Sequence, residues 1–209
     1  MFSFEKINKS GFLLDKNNIF NINENHLNEA REILSNNDIK CHYLEKKPME
    51  NIKIIYDPIK FSYLENTLKK IIHSLKNENK VKLESIWVQK TTENSYHFDP
   101  TKLPFIPHID KKRMFKIMVY LNEVNINDGP IHFIESSGNE FENLRLNLKD
   151  DYKKTGGNLI RNFQKSDYIS CYGPIGTAIF FDTNCPHYAG KIENNGHRMI
   201  YRFNFDYNI

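Results

Sequence analysis

The hydrophobic positions of the chain fall into two regimes. Between residues 23 and 36, Leu27, Ala30, Ile33 and Leu34 recur at helical spacing behind Asn23, a residue type suited to cap a helix. After Asp57-Pro58, which reads as a cap followed by a first-turn proline, Phe61, Leu64, Leu68, Ile71, Ile72 and Leu75 form a helical stripe. Glu65, Lys69, Lys70 and Lys76 occupy the opposite face, so an amphipathic helix laid on a sheet is predicted. From Lys80 onward the apolar runs shorten to strand length, at 81–91, 114–123, 130–135, 168–172, 177–182 and 197–206. Asn127-Asp128-Gly129-Pro130 and Gly173-Pro174-Ile175-Gly176 mark turns between them.

Short strands separated by turns, without interleaved helices, predict a mainly β (α+β) fold of sandwich or jelly-roll type, with N-terminal helices packed on the sheet. One domain is expected over residues 1–209, with 1–80 as helical cover and first strands and 81–209 as the core. Residues 138–165 fit neither period and mix basic with acidic side chains; a solvated excursion is expected there. Trp87 and His132 are expected in the core, and Cys185 as a packed thiol.

Composition narrows the function classes. The 209 residues are 39% hydrophobic and 26% charged, which excludes a disordered chain. With 29 basic and 26 acidic side chains, the net charge of +3 gives no cationic signature of nucleic-acid binding. There is no apolar run long enough for a membrane span, and Glu5 and Lys6 stand where a secretory signal needs its apolar stretch. Cys41, Cys171 and Cys185 form no CxxC pair, so reduced thiols in the cytoplasm are expected. The partner expected is a small-molecule substrate, with neither nucleic acid nor membrane; the sequence leaves the oligomeric state open.

Candidate chemistry lies in the second half. His108-Ile109-Asp110 places an imidazole and a carboxylate at i and i+2, on one face of an extended backbone. His187, after the apolar run 177–182, offers a second imidazole. Two histidines and one carboxylate, leaving three coordination positions open, suit a non-haem ferrous centre that binds a cosubstrate and dioxygen. HxD alone is a weak signal, and His97-Phe98-Asp99 repeats it as an alternative pair. Arg198 follows His187 by eleven residues, inside an apolar strand where a cation needs an anion to meet it. Its guanidinium matches the distal carboxylate of a dicarboxylic acid, with Arg202 of the same strand parity as the fallback.

The runs PHIDKKRMFKIMVYLNEVNINDGPIHFIESS and GTAIFFDTNCPHYAGKIENNGHRMIYRFNF resemble the phytanoyl-CoA dioxygenase-like branch of the Fe(II)/2-oxoglutarate-dependent oxygenases. The likeness lies in their order: HxD, a strand ending in Tyr-Leu, a Gly-Pro turn, a distal His, then Arg. It implies a double-stranded β-helix whose iron ligands fall on His108, Asp110 and His187. It also implies that Arg198 holds 2-oxoglutarate, with Gln89 and Tyr120 beside the cosubstrate. Glu135-Ser136-Ser137-Gly138-Asn139 stands where the family usually has Gly-Ser-His. The implied activity is hydroxylation of a small molecule with release of succinate and CO2; the carboxylate of Asp110 fills the position that related halogenases leave to halide. Two alternatives remain open on the residues alone. One is a cupin-type metal-binding jelly roll without 2-oxoglutarate chemistry, the other a non-catalytic β-sandwich binding module.

Overall fold

The computed structural model describes residues 4–44, 47–75, 81–93, 103–136, 139–147, 158–159 and 164–207. The N-terminal part runs α1 (Phe4–Ser10), β1 (Phe12–Asp15), α2 (Glu24–Ser35), β2 (Cys41–Leu44), β3 (Lys47–Ile55) and α3 (Ser62–Ser74). There follow β4 (Val81–Thr92), β5 (His108–Ile109), β6 (Met114–Tyr120), β7 (Ile131–Phe133), α4 (Glu142–Asn147) and β8 (Asn158–Leu159). The chain closes with β9 (Ile169–Cys171), β10 (Ala178–Asp182), β11 (His187–Ala189) and β12 (His197–Tyr207). Among the described residues the strands form a seven-stranded sheet in the order β1-β10-β6-β12-β4-β3-β2 and a five-stranded sheet in the order β8-β5-β11-β7-β9. This is the expected jelly roll. No helix among the described residues is long and apolar enough to cross a membrane.

Strand alternation sorts the side chains of the large sheet into two sets. Phe115, Ile117 and Val119 of β6, Ala178 and Phe180 of β10, Ile86 and Val88 of β4, and Met199, Tyr201, Phe203 and Phe205 of β12 face the helices. They pack there with Leu27, Ala30 and Ile33 of α2 and with Leu64, Leu68 and Ile71 of α3. The alternate positions face the small sheet, where Met118, Tyr120, Ile179, Phe181 and Ile200 meet Ile131 and Phe133. The large sheet is therefore buried on both faces, which explains why its central strands read as nearly continuous apolar runs.

The two predicted helices form where the stripes place them, but they begin for different reasons. Asn23 caps α2 as expected: its side chain accepts from the Asn25 N–H at 3.1 Å, and the His26 ring accepts from the Asn23 N–H at 3.2 Å. Asp57-Pro58 does not start α3. Asp57 instead turns the chain ahead of the helix, accepting from the Ile59 N–H at 3.2 Å. The free amides of α3 are met by a carboxylate from α2, with Tyr63 and Leu64 N–H donating to Glu29 at 3.1 and 2.7 Å. A cap supplied across 34 residues of sequence leaves no local signal.

The expectation of a solvated loop at 138–165 is corrected for its described part. Glu142 at the start of α4 pairs with Arg145, accepts from Asn184, and lies 3.6 Å from Arg113. Asn158 and Leu159 add a strand to Ile109 and His108. The described part of the excursion is thus built into the edge of the small sheet beside the HxD segment.

Candidate metal centre

Three backbone features bring the candidate ligands together. His108 and His187 are directly opposed residues of the antiparallel pair β5–β11. The Asp110 N–H donates to the Thr183 carbonyl at 3.0 Å, tying the HxD segment to the turn that leads into His187. That turn is held from below by Asp182, which accepts from Arg113 Nε and Nη2 at 2.9 and 2.6 Å, from the Tyr207 hydroxyl at 3.2 Å and from the Asn184 N–H at 2.9 Å. The result is a cluster in which one donor atom from each of His108, Asp110 and His187 lies within 4.8 Å of the others. His97 and Asp99, the alternative pair, lie outside the described residues.

The protonation pattern of the cluster suits a cation. His108 Nδ1 donates to the Ile106 carbonyl at 2.7 Å and His187 Nδ1 to the Cys185 carbonyl at 2.8 Å. Both rings therefore present Nε2 as a lone pair, and both Nε2 atoms face Asp110 Oδ1, at 3.9 and 3.8 Å. Burial pushes both imidazoles below the ordinary histidine range, His187 to about 3, so they stay neutral and able to ligate at physiological pH. Burial alone would raise the Asp110 carboxyl. Lys116, His187 and His108 outweigh it and hold the group ionised, below the usual carboxylate range. Two neutral nitrogens and one carboxylate oxygen converging on a single point are a donor set that fits a divalent first-row metal.

The cluster opens into a cavity of about 370 Å³ between the two sheets. Its walls include the apolar side chains of Met49, Ile52, Leu103, Phe105 and Met118, together with four charged ones: Asp110, Lys116, Arg198 and Arg202. Gln89 and Arg198, both expected near a cosubstrate, line this cavity. Gln89 is buried and donates to Thr91 Oγ1 at 2.9 Å. Arg198 is 5% exposed and donates from Nη1 to the Gly129 carbonyl. Gly129 holds that carbonyl in place through a left-handed turn (φ +68°), where a Cβ would come within 2.7 Å of the Gly190 carbonyl oxygen. Among the described residues no carboxylate pairs with Arg198, and its Nε is buried without a partner. A buried guanidinium so placed suits an anion.

Tyr120 is fully buried and donates through its hydroxyl to the Cys171 carbonyl at 2.5 Å, beside Arg198 and off the cavity wall. Trp87, expected in the core, shares the parity of Gln89 and so lines the cavity, with the Arg202 guanidinium 3.6 Å from its ring centroid and the His42 ring tilted against it at 4.3 Å. His132 is likewise not core: half-buried, it stacks on Tyr188 and hydrogen-bonds Ser170 at 2.9 Å. Cys185 is a packed thiol, fully buried and donating to the Ile134 carbonyl. Of the four charged cavity residues, one escaped sequence reasoning. Lys116 donates from Nζ to Asp110 Oδ2 at 2.5 Å. The signal for it was a cation inside the apolar run Met-Phe-Lys-Ile-Met, the same reasoning that singled out Arg198.

Comparison with known proteins agrees with this geometry. The sequence profile of the phytanoyl-CoA dioxygenase (PhyH) family matches residues 5–200. The chain belongs to this family. Among solved structures, EvdO2 from Micromonospora carbonacea var. aurantiaca, complexed with 2-oxoglutarate, superposes with a TM-score of 0.61 at 15% identity, over 96% of this chain and 88% of its own. HygX from Streptomyces hygroscopicus, with nickel and 2-oxoglutarate bound, gives 0.61 at 10% identity, over 100% of this chain and 88% of its own. SnoK, an alpha-ketoglutarate-dependent carbocyclase from nogalamycin biosynthesis, gives 0.59 at 12% identity, over 98% of this chain and 83% of its own. These likenesses show a shared PhyH-like fold. No curated protein matches the sequence.

Proposed function

We propose that the protein is an Fe(II)- and 2-oxoglutarate-dependent dioxygenase that hydroxylates a small molecule. The net reaction is R–H + O2 + 2-oxoglutarate → R–OH + succinate + CO2. One observation carries this reading: a cavity that holds both a His-Asp-His donor set and a buried arginine with no carboxylate partner among the described residues. The first fits iron and the second fits the distal carboxylate of the cosubstrate. Family membership supports it, as do EvdO2 with 2-oxoglutarate and HygX with iron.

Ferrous iron, with 2-oxoglutarate and dioxygen, would supply the oxidising power. The chain supplies placement. His108 and His187 would hold the metal through Nε2 and Asp110 through Oδ1, each orientation already fixed by hydrogen bonds of the chain itself. Arg198, clamped by the Gly129 carbonyl and Tyr120, fixes the far end of the cosubstrate, and Gln89 adds an amide beside it. Met49, Ile52, Leu103, Phe105 and Met118 exclude water and receive the substrate's C–H bonds. The carboxylate at Asp110 favours hydroxylation over halogenation, since it fills the place a halide would need.

Anaerobic addition of Fe(II) and then 2-oxoglutarate tests the reading. A visible charge-transfer band is expected, absent in His108→Ala, with succinate released once oxygen is admitted. A solution that binds iron but stays colourless with 2-oxoglutarate would leave the metal-binding jelly roll instead, and one that binds neither would leave the non-catalytic module.

A further inference from the structure

Lys116 is the charged cavity residue nearest the candidate ligands for which the proposed chemistry has no use. It stands on the inner face of β6 between Phe115 and Ile117, whose side chains face the helices. Its side chain is only 12% exposed, and its ammonium is committed to one atom, Asp110 Oδ2, at 2.5 Å. The other carboxylate oxygen, Oδ1, is the one that faces both imidazoles. The two oxygens of Asp110 are thereby divided between two tasks.

That division bears on how many positions a metal has to offer. A carboxylate with both oxygens free chelates a divalent ion through either one or two of them. When it uses two, it fills four positions together with the histidines and leaves two, which a bidentate keto acid would consume entirely. When it uses one, a third position stays open for dioxygen. A charge-assisted hydrogen bond in a half-buried site is strong enough to decide between these modes.

Resting on the oxygenase reading above, we propose that Lys116 is a positioning residue that keeps Asp110 to one metal–oxygen bond, so that the keto acid and dioxygen both find room. Lys116 touches neither metal nor substrate in this role; it acts through Asp110. A purely structural ion pair would have no such effect: losing one partner of it lowers stability by stranding the other charge, without changing how many positions a bound metal offers.

The test compares wild type with Lys116→Met, which keeps the stem and removes the charge, and Lys116→Arg, which restores a cationic donor. Mn(II) serves as probe, its binding followed by loss of the free-ion EPR signal and its bound waters counted by line broadening in 17O-water, with no turnover involved. In Lys116→Met we expect Mn(II) affinity unchanged or tightened, and one fewer bound water than wild type both before and after 2-oxoglutarate is added, so that the keto-acid complex of wild type keeps a water and that of the variant keeps none. Lys116→Arg should keep the wild-type water count. Should Lys116→Met fail to fold, Lys116→Gln gives the same readout, since a neutral amide holds Oδ2 more weakly. An unchanged water count in the neutral variant overturns the proposal, whether 2-oxoglutarate affinity holds (a structural pair) or falls (direct contact with the keto acid). A loss of Mn(II) affinity alone, with 2-oxoglutarate binding intact, overturns it too. If wild type itself takes up neither Mn(II) nor 2-oxoglutarate, the oxygenase reading fails as well; if wild type binds both, only the assignment to Lys116 is at stake.

Discussion

Asp110 and Asp182 are both paired to a cation on or beside β6, yet their surroundings differ in one respect. Asp182 is saturated: Arg113, Tyr207 and the Asn184 amide occupy both of its oxygens. Asp110 is half-spent, with Lys116 on Oδ2 and only two neutral imidazoles facing Oδ1. The first region is a closed polar network that fixes the turn 182–186, and the second is an open one built on top of it. The difference separates holding from binding: a buried carboxylate with no unused acceptor serves the fold, and one with an acceptor aimed into a cavity is kept for a ligand.

Replacing the two carboxylates should split the two roles with the largest effects available. Asp110→Asn, whose amide oxygen still accepts from Lys116, should abolish Mn(II) binding in a titration while thermal unfolding of the metal-free protein stays near wild type. Asp182→Ala should do the reverse. Stranding Arg113 costs about 3 kcal/mol, read as a fall in Tm of about 6–12 °C, with Mn(II) still bound below the transition. If both variants lose metal and stability together, the two regions are one unit.

Arg198→Ala sharpens the open side further. Removing a buried guanidinium from its carboxylate should raise KM for 2-oxoglutarate about 100-fold and leave Mn(II) affinity untouched. An unchanged KM would pass the role to Arg202, which lies on the same face.

Acid should act on the open region before the closed one, because the Asp182 network contains no histidine. The unfolded chain takes up protons on His108 and His187 near pH 6.5, whereas burial holds the folded groups lower, His187 at about 3. Stability is therefore complete above pH 6.5 and lost as pH falls below it, by up to about 1.4 kcal/mol per pH unit for each imidazole. Chemical unfolding of the metal-free protein at pH 7, 6 and 5 measures this slope, and His187→Gln should flatten it. The smallest effect is expected outside both regions: Glu29→Ala uncaps α3 and should cost about 1 kcal/mol without altering metal or keto-acid binding.

What the sequence made legible depended on periodicity. The stripe from Phe61 to Leu75 and the strand 197–206 announce themselves because every second or every third-to-fourth side chain meets the same core. The order HxD, distal His, Arg was enough to pick out residues that the fold brings to one cavity. Trp87 was misplaced because an indole reads as core by type, although its spacing from Gln89 put it on the cavity side. Lys116 was passed over because its partner Asp110 had already been assigned a task. The Glu29 cap and the Arg113–Asp182 pair carry no local pattern at all; they exist only once the chain has folded.

The central strand β12 pairs along its length with β4 and from Ile200 to Asp206 with β6, and its inner face carries Arg198 and Arg202 where its outer face carries Met199, Tyr201 and Phe203. A slip of one residue would drive both guanidiniums into the oily layer beneath the helices and turn three large apolar side chains toward the cavity. No neighbouring alignment is tolerable. The two guanidiniums that line the cavity thus also penalise wrong assembly, and a nascent chain that seats β12 wrongly has a steep incentive to let go and try again.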